Sequence, residues 1–96
     1  MISLKELHDA TFIGLEVDWA SGKLRCTFDV GINEKVMVHL LAHGLTSLNY
    51  PRKHPWGPSI FVNSVRTDKF EKGIRLAIEM QSGDVIEANV ADVVLE

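Results

Sequence analysis

The sequence predicts an all-β protein, a six- to seven-stranded antiparallel sandwich or small barrel with a short N-terminal helical turn. Three observations predict it. Apolar and polar residues alternate strictly over two stretches near the two ends of the chain. Gly, Ser, Pro and Asp break that alternation at short, regular intervals, as turns between strands do. No stretch keeps a helical period long enough for the crossover helix of a βαβ unit. With 96 residues, 46% of them hydrophobic and 24% charged, there is material for one core, so residues 1–96 read as a single all-β domain.

The helical turn is expected over residues 3–9. Ser3 is placed as its N-cap, with Glu6 three residues later as the capping-box partner. Leu4, Leu7 and Ala10 would then face one way, making the turn a lid rather than a main element. From Thr11 the period becomes two. Ile13, Leu15, Val17 and Trp19 alternate with Phe12, Gly14, Glu16 and Asp18; after Ala20-Ser21-Gly22, Leu24, Cys26, Phe28 and Val30 alternate with Lys23, Arg25, Thr27 and Asp29. Pairing Val17 with Leu24 and Leu15 with Cys26 keeps both apolar rows on one face. The same register sets Asp18 against Lys23 and Glu16 against Arg25, so charge and hydropathy select one hairpin.

In the middle, Val36, Val38, Leu40 and Ala42 read as a strand with Met37, His39 and Leu41 on its other face. Gly44 permits a bend, and Thr46, Leu48 and Tyr50 resume pairing. Pro51 to Pro58 holds three prolines and a glycine in eight residues, which excludes continuous strand or helix. Ser59 to Arg66 returns to strand, with Ile60 and Val62 on one face and Phe61 and Val65 on the other, and Thr67 to Gly73 is a polar connection. A final hairpin joins Ile74–Met80 to Val85–Val90. A three-residue loop, Gln81-Ser82-Gly83, aligns Ile78 with Ile86 and Leu76 with Ala88, and gives Gly83 a left-handed position.

Charge is unevenly spread. The net charge is −3, yet residues 35–67 contain no Asp or Glu while carrying Lys35, Arg52, Lys53 and Arg66. An acidic protein with so small a basic run is not expected to bind nucleic acid. No window reaches the ~20 apolar residues of a membrane-spanning helix, the charged opening stretch does not suit a secretory signal, and a lone cysteine suits a reducing cytoplasm. A soluble cytoplasmic protein is expected, with a protein partner or a homo-oligomer as the natural assembly.

The chemistry-bearing residues are few. His39 and His43 have the spacing that chelates zinc from a helix, but in a strand they stand ~13 Å apart, so no metal site is expected. His8-Asp9 offers an acid–base pair, against the plainer reading that Asp9 caps backbone amides where the helical turn meets the first strand. Ser59 lacks the glycines of a nucleophile elbow, and there is no phosphate loop or dinucleotide fingerprint. No catalytic residue and no cofactor is therefore assigned, and an enzyme is not expected. The candidate binding site is Tyr50, Arg52, Lys53, His54 and Trp56. Two aromatics flank three basic residues in a proline-stiffened loop, the residue types and rigidity that favour docking. In the alternative, Trp56 folds back as a plug over one end of a sheet. A small anionic ligand held near Arg52, Lys53, His54 and Arg66 is a second reading.

His8-Asp9-Ala10, Asp18-Trp19-x-x-Gly22, Pro55-Trp56-Gly57-Pro58-Ser59 with Val62-Asn63, and Glu79 to Asp84 together resemble a family of small uncharacterised bacterial proteins, over nearly the whole chain. That resemblance implies a bacterial source and carries over no catalytic residues. The His-Asp-Ala opening followed by an alternating strand is more loosely similar to bacterial immunity proteins of the immunity protein 50 type, which implies an inhibitor of a toxin.

Overall fold

A computed structural model describes residues 3–96; Met1 and Ile2, part of the charged opening stretch, lie outside the described residues. Among the described residues eight strands form two four-stranded antiparallel sheets, one more strand than the upper expectation. The elements are a 3-10 turn η1 (Leu4–Leu7), β1 (Thr11–Asp18), β2 (Lys23–Asp29), β3 (Met37–His43), β4 (Ser47–Asn49), β5 (Val62–Phe70), β6 (Gly73–Met80), β7 (Val85–Val90) and β8 (Asp92–Leu95). One sheet runs β1-β2-β3-β8 and the other β4-β7-β6-β5. At one corner the sheets are stitched together: Phe12 N–H donates to the Ile60 carbonyl (2.8 Å) and Val62 N–H to the Ala10 carbonyl (2.9 Å). The architecture is a sandwich with one corner closed as in a barrel.

The facing sheets bury the apolar rows. Leu24, Cys26 and Phe28 of β2 lie beside Ala42, Leu40 and Val38 of β3, and Leu76 and Ile78 of β6 beside Ala88 and Ile86 of β7. The β1–β2 register is the expected one, including Asp18 opposite Lys23 and an Arg25–Glu16 pair at 2.6 Å. The three-residue loop of the C-terminal hairpin is also found, with Gly83 at φ +94°. Leu7 is fully buried and Ala10 nearly so, which makes η1 the expected lid.

Several expectations are corrected. Bulges between Phe12 and Gly14 and between Val62 and Ser64 each add one residue to a strand, which reverses the face of everything beyond it. Phe12 therefore packs inward against Phe28, leaving Ile13 half-exposed, and Val62 and Val65 share the buried face of β5. The stretch from Thr67 to Phe70 continues β5, so the polar connection shrinks to Glu71-Lys72. Ser3 occupies the N-cap of η1 without a side-chain capping bond, because the Glu6 N–H already donates to the Ser3 carbonyl in 3-10 fashion (3.0 Å). β8 was not anticipated; it returns to the first sheet beside β3 just after Ala91.

The topology dictates where the proline-rich stretch must go. It joins β4 to β5, the two opposite edges of one sheet, so it spans three inter-strand gaps, about 14 Å. β4 ends opposite Glu87 near the start of β7, and β5 begins opposite Met80 at the end of β6. Both points flank the β6–β7 turn, and the connection passes across that turn.

Candidate functional site

The loop of residues 50–61 is held by a turn that sequence reasoning treated only as a hairpin end. Among the described residues the two buried polar side chains are Ser82 and Asp84. Buried polar groups need partners, and here the loop supplies them. Asp84 Oδ1 accepts the Lys53 N–H (2.7 Å), and Oδ2 accepts the His54 N–H (2.9 Å) and the Ser82 hydroxyl (2.8 Å). Burial pushes the Asp84 carboxyl upward and is the largest single influence. The donors from Lys53, Ser82 and His54, with the nearby His54 charge, together outweigh it and hold the group below the usual carboxylate range. Trp56 N–H donates to the Ser82 carbonyl (2.9 Å), completing a backbone clamp.

Trp56 is 75% exposed and is not a plug. One part of its indole rests on Gly83: a Cβ at that glycine would fall under 3.0 Å from the ring carbons Cδ2, Cε3 and Cζ3. The glycine thus serves the left-handed turn and the aromatic seat at once. His54 stands at φ +55°, a conformation that costs a non-glycine residue about 1 kcal/mol and is fixed here by the Asp84 clamp. Its Nδ1 is buried and has no hydrogen-bond partner among the described residues. Tyr50 is half-exposed and meets Phe12 edge-on, ring centroids 6.4 Å apart.

All five expected residues therefore gather at one end of one sheet, but they divide in two. Tyr50, Arg52 and His54 line a cavity of about 210 Å³ whose apolar walls include Phe12, Ile60, Met80 and Ile86. Lys53 and Trp56 lie outside it. Arg52 and Lys53 take part in no ion pair among the described residues. Arg66, grouped with these bases in the sequence reading, is opposite Ala77 on β5 and does not line the cavity. Exposed Ile13 and Ile60, which the alternation does not mark as surface, line the same cavity as Tyr50 and extend its apolar area.

His8 and Asp9 do converge, because Asp9 adopts φ +67°, and their side chains stand 3.5 Å apart. His8 Nδ1 donates to the Asn63 carbonyl (2.6 Å), and Gln81 Nε2 donates to Asp9 Oδ1 (2.6 Å). Among the described residues the Asp9 carboxylate caps no backbone amide; it ties the end of η1 to the β6–β7 turn through Gln81. His39 and His43 take separate partners, Thr27 and Asp92. Elsewhere, Trp19 is 92% exposed beside a groove lined by Val17, Leu45 and Leu48, a surface the alternating pattern had assigned to a strand's apolar row. No helix of the described residues is long and apolar enough to cross a membrane. No family model matches the chain, and no curated protein matches it.

Proposed function

We propose that this chain is a small, non-enzymatic cytoplasmic module of bacterial origin that docks a protein partner, or a second copy of itself, through the Tyr50–Ser59 loop. One observation carries the reading: Trp56 is three-quarters exposed and yet fixed, by its N–H on Ser82, its ring on Gly83 and the Asp84 clamp two residues upstream. Leaving a large aromatic in water forgoes about 1.5–3 kcal/mol of burial, a cost that contact with a partner recovers. A loop already ordered in its bound shape loses little entropy on docking. Arg52 and Lys53, free of ion pairs among the described residues, favour an acidic contact surface.

The test compares wild type with a Trp56→Ala, Arg52→Ala double variant that retains the wild-type far-UV spectrum. Solution mass and the set of proteins captured from the native host are measured for both. Loss of a self-association step, or of a specific captured protein, in the variant supports the proposal. Identical mass and identical partners overturn it.

A further inference from the structure

The cavity behind the loop is a separate feature from the exposed tryptophan, and we propose that it binds a small aromatic monocarboxylate. Size sets the class. An apolar protein cavity of about 150 Å³ holds one benzene ring. The 210 Å³ here adds room for a carboxylate, while falling below the ~300 Å³ at which drug-sized sites begin. The inner wall is apolar and buried, formed by Met80 and Ile86, with half-buried Phe12 beside them, so it suits a ring. The mouth is polar on one side, where Arg52 is exposed and free of ion pairs among the described residues.

Charge sets the head group. The one acid lining the cavity is Asp84, and its two oxygens already accept three donors from the protein. Its charge is turned toward the loop backbone, which leaves Arg52, without an ion pair among the described residues, as the charge facing a ligand. Guanidinium and carboxylate match in a planar, two-point geometry. His54 lines the same cavity and has a covered Nδ1 without a partner, so a turn of its ring offers a second polar contact to a ligand oxygen.

The experiment is a titration of the whole chain followed by ligand-observed NMR and thermal shift. The probes are benzoate and indole-3-carboxylate, with benzamide and indole as neutral analogues and acetate as a head group without a ring. Saturable binding of the aromatic carboxylates is expected, at least about tenfold tighter than the neutral analogues or acetate. Arg52→Gln should weaken it about tenfold or more, whereas Lys53→Gln and Trp56→Ala, outside the cavity, should leave it unchanged. That last variant separates this site from the docking surface, because it should abolish partner contact and spare the ligand. No saturable binding by a folded protein at millimolar probe overturns the inference. Equal affinity for the neutral analogues, or indifference to Arg52→Gln, does so as well.

Discussion

Substituting Gly83 by Ala tests the seat of Trp56 directly. The added methyl enters a space under 3.0 Å from three indole carbons, at a backbone φ of +94°. The conformation alone costs an alanine about 1–2 kcal/mol. The ring is the second component. At 75% exposure about a quarter of it is covered, roughly 60 Å², which at ~25 cal/mol/Å² contributes about 1.5 kcal/mol. Gly83→Ala should therefore destabilise by about 2.5–3.5 kcal/mol, and Trp56→Ala by about 1.5 kcal/mol. In the double variant the seat can be lost only once, so the two effects should fall short of additive by about 1.5 kcal/mol. The assay is urea unfolding followed by far-UV circular dichroism on wild type, both singles and the double. At roughly 5 °C per kcal/mol for a chain of this size, Gly83→Ala alone should lower Tm by about 12–18 °C. Additivity to within about 0.3–0.5 kcal/mol would refute the reasoning, since it would mean that Trp56 does not rest on Gly83.

Three further outcomes follow from the same contacts. Asp84→Ala should free the loop, so that trypsin cuts after Arg52 and Lys53 at least about tenfold faster than in wild type, with Asp84→Asn intermediate because one oxygen remains to accept; unchanged cleavage rates would show that the clamp does not order the loop. The Asp29 carboxylate accepts the Gly31 and Val36 N–H groups, which hold it below its usual value, as Asp84 is held. Both groups bind a proton less readily folded than unfolded, so their stabilisation is complete above pH 3.8 and disappears as pH falls through the lowered values. An Asp29→Asn, Asp84→Asn variant should lose less stability than wild type below pH 3.8, and parallel acid titrations of the two would contradict this. Burial pushes the Cys26 thiol up to about 12, so at pH 8 a thiol-specific reagent should label it only at the rate of unfolding; rapid stoichiometric labelling of native protein would be the contrary result.

The sequence disclosed what local patterns control. In the first hairpin, the Glu16–Arg25 and Asp18–Lys23 pairs and the Leu15–Cys26 row demand one register, and that register is found. In the last, Gly83 and the match of Ile78 with Ile86 fix the loop length. Two inserted residues defeat the same reasoning. A bulge at Ile13 or at Asn63 leaves no mark in composition, yet it inverts the parity of its strand; the shift in pairing register, the inward packing of Phe12 and the burial of Val65 reveal it. β8 is not legible in the sequence because its four residues carry too little alternation to mark a strand. The five site residues were legible as a cluster because they are contiguous. Their division between a cavity and an exposed face was not, because it depends on Phe12, Met80 and Asp84, which are remote in sequence.

The absence of acids from residues 35–67 acquires a physical reason from this arrangement. Part of it is burial, since Val38, Leu40, Ala42, Val62 and Val65 face the core. Part concerns the loop. Its two successive N–H groups at Lys53 and His54 need an acceptor, and no Asp, Glu or Asn lies between Pro51 and Val62 to provide a local one; the carboxylate that accepts them comes from the β6–β7 turn, 31 and 30 residues along the chain. A local acid would cap the loop but would also pair with Arg52 or Lys53 and cancel the surface they present. Supplying the carboxylate from a buried turn behind the loop satisfies the backbone from inside and leaves both cations without an ion pair among the described residues. The loop is thereby ordered by one charge and presents another, and on this division both the proposed docking surface and the proposed carboxylate site depend.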